Sequence, residues 1–173
     1  MKRFVSVLLV LMLVLSLTAC GETADDPGVK YGGIGDTMST KWFDFTVTDA
    51  YSCDRYQGYT PSEGYKLVVV NLSLKNDCGQ TVDMWGEDFV ILWGDDDSTS
   101  GLDIPLPAGL SDDQFPDEYV LGINEPKSGV MVFEVPLEFR EFSIGFVELF
   151  ESDDNPDGEE GNTFYVKFTA EDR

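Results

Sequence analysis

The residues that could do chemistry in this 173-residue chain are few, and the gaps among them say as much as their presence. There are three cysteines, Cys20, Cys53 and Cys78, and no histidine. Without His the chain lacks the commonest general base, the commonest metal ligand and the usual partner of a Ser or Cys nucleophile. Acids are abundant, 33 Asp and Glu against 11 Lys and Arg, for a formal net charge of −22. No spacing singles out two carboxylates as an acid/base pair. Gly-x-Ser-x-Gly, Ser-x-x-Lys and P-loop patterns are also missing. The expectation is a protein that is not an enzyme, needs no cofactor and has no metal site. The acidity also excludes nucleic acid as a partner, because displacing counterions from a phosphate backbone takes Lys and Arg.

Two weaker patterns bear on metals and nucleotides. Asp153, Asn155, Asp157 and Gly158 match the first half of a calcium loop, but the position for the bidentate Glu is Phe164 and Pro156 interrupts the loop. A solvated hairpin loop accounts for these acids, with Ca²⁺ binding or sensing as an alternative. Gly33-Ile34-Gly35 opens like a dinucleotide fingerprint, but Met38 stands where the third glycine belongs.

Cys20 has its own context. Lys2 and Arg3 precede an apolar run, Phe4 to Leu15, broken only by Ser6, and Leu17-Thr18-Ala19-Cys20 follows. A charged start, a short apolar stretch and small residues before a cleavage point describe a secretory signal. The ending resembles the lipobox of bacterial lipoproteins, in which the matching cysteine carries a diacylglycerol thioether. That resemblance implies a lipid on Cys20, membrane anchoring through it, and a place on the outer, extracytoplasmic face of a bacterial cell membrane. Cleavage after residue 19 would remove Lys2 and Arg3 and no acid, leaving −24.

Cys53 and Cys78 then remain as an even pair in an oxidising compartment. A disulfide between them is one reading and two inert thiols the other. In a plain hairpin of the flanking strands, about ten residues of roughly 3.3 Å each would separate them.

The elements that position these residues are strands. Residues 1–19 form the signal, and 20–35, Gly-rich and polar, read as a flexible tether carrying the lipid. Beyond them period-two alternation dominates 36–173. Phe43, Phe45 and Val47 share one face, as do Val68, Val70, Leu72 and Leu74, and Phe164, Val166 and Phe168 alternate with Tyr165, Lys167 and Thr169. Other strand candidates span 88–93, 119–123, 129–135 and 142–150. Seven or eight short strands without a helical period predict an all-β, antiparallel β-sandwich. Trp42, Trp85 and Trp93 are expected in its core. Tyr51, Tyr56 and Tyr59 cluster at the 54–64 loop, where aromatics either pack over the end of the sandwich or contact a protein or glycan partner.

Several segments support a resemblance: Gly35-Asp36, Phe43-Asp44-Phe45-Thr46-Val47, Leu74-Lys75-Asn76, Pro126-Lys127-Ser128-Gly129, and Phe133-Glu134-Val135-Pro136. Over roughly residues 34–150 the chain resembles the telokin-like, immunoglobulin-like domain of secreted bacterial lipoproteins, a domain of unknown function. The resemblance implies an immunoglobulin-like sandwich outside the cytoplasm with no established catalytic residues. Such a domain would serve as a non-catalytic interaction module of unknown ligand, or as an accessory subunit of an envelope or transport complex.

Overall fold

The computed structural model describes residues 28–94, 100–152 and 155–173, without the side chains of 151, 152 and 155–157. Its strands in chain order are β1 (Val29–Gly33), β2 (Thr37–Ser39), β3 (Phe43–Cys53), β4 (Tyr65–Asn76), β5 (Val82–Trp85) and β6 (Phe89–Trp93). There follow β7 (Gly101–Asp103), β8 (Glu118–Leu121), β9 (Pro126–Pro136), β10 (Glu141–Ser152), β11 (Asn155–Thr169) and β12 (Glu171–Asp172). A single 3₁₀ turn, Gly86–Asp88, is the one helical element among the described residues.

One sheet runs β1-β11-β10-β6-β7 and the other β12-β3-β4-β9, with β2 also paired to β3. A two-stranded ribbon, β5-β8, adds Met84, Tyr119 and Leu121 to the shared core. The chain is therefore an all-β sandwich. Every expected strand has a counterpart, and the additional ones are short. Two edge pairings are parallel, β1 with β11 and β12 with β3.

The alternation explains which faces meet. Phe43, Phe45 and Val47 of β3 and Val68, Val70, Leu72 and Leu74 of β4 face Phe142, Ile144 and Phe146 of β10 and Phe164, Val166 and Phe168 of β11. Phe45 is fully buried, with its ring 5.3 Å from Phe89 and 6.0 Å from both Phe146 and Phe164, centroid to centroid. The unbroken apolar run Leu67–Val70 reflects burial on both faces of β4. Leu67 and Val69 point away from the sandwich core into a second cluster with Cys53, Val130 and Val132.

Glu148 is a buried carboxylate, 2 % exposed, at the break in β10–β11 register between Val147 and Leu149. It accepts hydrogen bonds from the main-chain N–H of Lys41 (2.7 Å) and from both the main-chain N–H and the side-chain amide of Asn162 (2.9 Å each). The Asn162 carbonyl oxygen in turn accepts from the N–H of Gly28 (3.2 Å). Glu148 thus ties the turn before β3, in one sheet, to β11 in the other and to the start of β1. Gly161 leaves room for it, since a Cβ there would lie 2.9 Å from the Glu148 side chain.

Two expectations are corrected. The tether cannot extend to residue 35, because Val29–Gly33 form β1 and complete the edge of a sheet that β11 would otherwise leave unpaired. Nor are all three tryptophans in the core. Trp42 and Trp93 pack against it, but Trp85 is 44 % exposed because β5 places Met84 inward and its neighbour outward. The signal segment, Cys20 and the acids at 95–97 lie outside the described residues.

Candidate functional site

The tyrosine loop is built into the fold. Gln57 (φ 47°) and Gly58 (φ 90°) form a two-residue turn whose left-handed backbone suits a hairpin. It is closed by paired main-chain bonds between Tyr56 and Tyr59 at 3.0 and 2.8 Å. The hairpin lies on the outer face of the β3-β4-β9 sheet. There Tyr51, Tyr56 and Tyr59 cover Cys53, Leu67, Val69, Val130 and Val132, together with Leu106 and Leu110 of the long loop after β7.

Each ring is tied down. The Tyr56 hydroxyl is 3.0 Å from that of Ser111, Tyr59 donates to Glu134 (2.8 Å), and the Arg173 guanidinium sits 4.7 Å from the Tyr51 centroid. Desolvation alone would raise the pKa of Glu134. Hydrogen bonds from Ser62 and Tyr59 outweigh it and hold this carboxyl below its ordinary value. The long loop also closes the β9 edge: Leu106 and Phe115 donate to the carbonyls of Val132 (2.7 Å) and Val130 (3.0 Å), and Val130 donates to Asp113 (2.9 Å). All three tyrosines thus pack over one end of the β3-β4-β9 sheet and stay half-buried there.

The disulfide does not form. Cys53 and Cys78 are both free thiols. Cys53 pairs with Leu67 in the β3–β4 register while Phe43 pairs with Asn76, so Cys78 lies beyond the opposite end of a ladder about 30 Å long. Burial pushes the Cys53 thiol pKa up, which makes it an inert core residue. The half calcium motif falls on Asp153, which is not described, and on Asn155 and Asp157, whose side chains are not described. Among the described residues no three acidic or thiol side chains gather into a metal cluster.

The opposite face of the sandwich is arranged differently. An open groove of about 830 Å³ lies against the outer face of β1-β11-β10-β6, where Tyr31, Leu92, Ser143, Tyr165, Lys167 and Thr169 line it. It reaches Trp93 and Phe139, whose rings pack against the core, with Glu138, Arg140 and Glu141 beside them. Tyr31 and Tyr165 are paired in the parallel β1–β11 register and stack with centroids 5.7 Å apart and planes 26° from parallel. Tyr165 leans over Gly145, its partner on β10. A Cβ at Gly145 would come within 2.8 Å of Leu92 and 3.3 Å of the Tyr165 ring, so glycine is what lets these side chains lie across the strands. At the other end the Trp93 and Phe139 rings are 6.3 Å apart.

Tyr31 is 63 % exposed, with the Lys167 ammonium 4.7 Å from its centroid. The one salt bridge among the described residues, Arg173 to Asp49, is elsewhere. Glu138, Arg140, Glu141 and Ser143 therefore reach the groove with side chains uncommitted to one another. Among the described residues this face has no counterpart of the loops that cover the other sheet.

The chain is thus a sandwich with loops packed over part of one outer face and an open groove against the other. No family model matches the sequence, and no curated protein is similar to it. Several solved structures share the fold, among them the following three. The yjhA protein from Bacillus subtilis is 11 % identical, with a TM-score of 0.57 over 82 % of this chain and 99 % of that one. A Bacillus subtilis protein described as a "putative lipoprotein" (ycdA) is 13 % identical, with a TM-score of 0.54 over 78 % of this chain. This chain spans 38 % of that protein's length. An uncharacterized β-sandwich protein from Clostridium difficile 630 is 12 % identical, with a TM-score of 0.50 over 84 % of this chain and 97 % of that one. At such identities the likeness is one of fold.

Proposed function

We propose that this chain is a lipid-anchored, extracytoplasmic and non-catalytic binding module of the telokin-like, immunoglobulin-like type, which meets its ligand on the β1-β11-β10-β6 face. The observation that carries the reading is the asymmetry of the sandwich. The apolar part of one outer face is covered by the chain's own loops, and the other face holds stacked aromatics and polar side chains along an open groove. The surface pair of Tyr31 and Tyr165 adds nothing to the packing of the core, whereas convergent aromatic and polar groups in a concavity are the usual make-up of a ligand site. The address rests on the Lys2–Cys20 pattern and is supported by the lipoprotein description of one structural neighbour. The absence of histidine from the whole sequence supports a non-catalytic role.

Two measurements test this. Labelled fatty acid should be incorporated into the protein and lost on Cys20→Ala; retention of label would overturn the anchor. A photo-crosslinking residue at position 31 should capture a cell-envelope component from intact cells, and one at position 59 should not. The reverse pattern would remove the groove as the binding face.

A further inference from the structure

The geometry points to a ligand class for this groove: we propose that it binds an uncharged carbohydrate chain, laid across the strands from Tyr31 towards Leu92. This rests on the reading of the chain as a binding module. Four observations carry it.

The groove carries the Tyr31–Tyr165 pair beside Gly145, with Tyr31 63 % exposed, and apolar ring surface is what the C–H faces of a pyranose pack against. Around that floor stand groups of both hydrogen-bonding senses: hydroxyls of Ser143 and Thr169, acceptors at Glu138 and Glu141, donors at Arg140 and Lys167. Sugar hydroxyls donate and accept, so they can use the whole set.

The charge at the groove is also distinctive. Two acids face two bases there, although the chain as a whole carries −22. A polyanion would be repelled by the overall field. A polycation would gain nothing from a rim that holds Arg140 and Lys167 and would be drawn to the acidic loops. A neutral, hydroxyl-rich ligand fits the local balance.

Finally, the groove lies on a face and away from an edge. β11 is bonded on its two sides by β1 and β10, and β10 by β11 and β6, so no main-chain groups are free here to add a peptide strand. Recognition must come from side chains, as it does for sugars. With strands about 4.8 Å apart, the path from β1 to β6 is about 14 Å, room for a chain of a few pyranose rings.

The test uses the purified protein on an array of short, neutral glucose, N-acetylglucosamine, mannose, galactose and xylose oligomers, followed by calorimetry with the best binder. Saturable binding is expected. Tyr31→Ala and Tyr165→Ala should each weaken it by about tenfold or more, while Tyr59→Phe leaves it unchanged. Tyr31 is exposed, so its variant should melt with the parent, and a folded Tyr31→Ala keeps the test valid even if Tyr165→Ala loses stability. No saturable binding to any oligomer up to about 10 mM, or binding that survives both tyrosine variants, would overturn the proposal. Capture of a protein at position 31 with no sugar binding would end the carbohydrate assignment and leave the binding-module reading standing.

Discussion

Glu148 is the side chain whose removal should expose most directly how the two sheets are joined. It is 2 % exposed, forms no salt bridge among the described residues, and is held by three N–H donors, two of them main-chain groups at Lys41 and Asn162. A buried donor left without an acceptor costs about 1–3 kcal/mol. In Glu148→Ala the Asn162 amide can turn to water, but the two main-chain donors cannot move without their strands. The expected loss is therefore about 2–5 kcal/mol, a large part of a typical domain stability. Glu148→Gln keeps one oxygen, enough for the Asn162 donors, and turns an NH₂ towards the Lys41 N–H. Its cost should be about 1–2 kcal/mol, clearly smaller than that of Ala. Urea unfolding at neutral pH measures both, and amide exchange at Lys41 and Asn162 should accelerate in step. Equal losses in Ala and Gln, or a loss under about 1 kcal/mol in Ala, would refute the role assigned to this carboxylate.

Three further outcomes follow from the geometry. Under denaturing, non-reducing conditions both Cys53 and Cys78 should alkylate completely, and in the native protein Cys78 should react first; an intact mass short by two hydrogens would contradict this. The Tyr119 hydroxyl is buried with no hydrogen-bond partner among the described residues, so Tyr119→Phe should keep or raise the melting temperature. Tyr59→Phe, by contrast, removes the bond to Glu134 and should lower the melting temperature slightly. Glu134 has a folded-state pKa below its ordinary 4.5. Its contribution is full above that value and is lost as pH falls through the lower folded pKa. The stability gap between the parent and Glu134→Gln should therefore be constant near neutrality and close below about pH 4.5, as read from urea midpoints across pH.

Most of the sandwich was legible because its strands announce themselves locally. Phe43-x-Phe45-x-Val47 and Phe164-x-Val166-x-Phe168 each mark an inward face by period two, and those faces meet in the structure. The run at 67–70 carried a second message, burial on both sides, which is explained only when the 54–64 and 104–115 loops fold onto β4 and β9. β1 was not legible. Val29–Gly33 is short and glycine-rich, and it becomes a strand because β11, more than 130 residues away, offers it an edge.

The groove followed the same division. Tyr165 and Lys167 could be placed together on an outward face, and Ser143 and Gly145 likewise. Nothing local brings Tyr31 beside Tyr165, or Trp93 beside Phe139. Conversely, Tyr51, Tyr56 and Tyr59 drew notice as loop aromatics, but their rings and hydroxyls are spent on Arg173, Ser111 and Glu134. Aromatic content in a loop signals contact area; which surface it covers depends on partners remote in sequence.

The central claim is that ligand meets the outer face of β1-β11-β10-β6. Amide and aromatic chemical-shift mapping of the isotope-labelled protein, titrated with the best-binding neutral oligosaccharide, tests it most directly. Shifts should concentrate at Tyr31, Leu92, Ser143, Tyr165 and Lys167. Shifts centred on Tyr51, Tyr56 and Tyr59, with the groove silent, would contradict it.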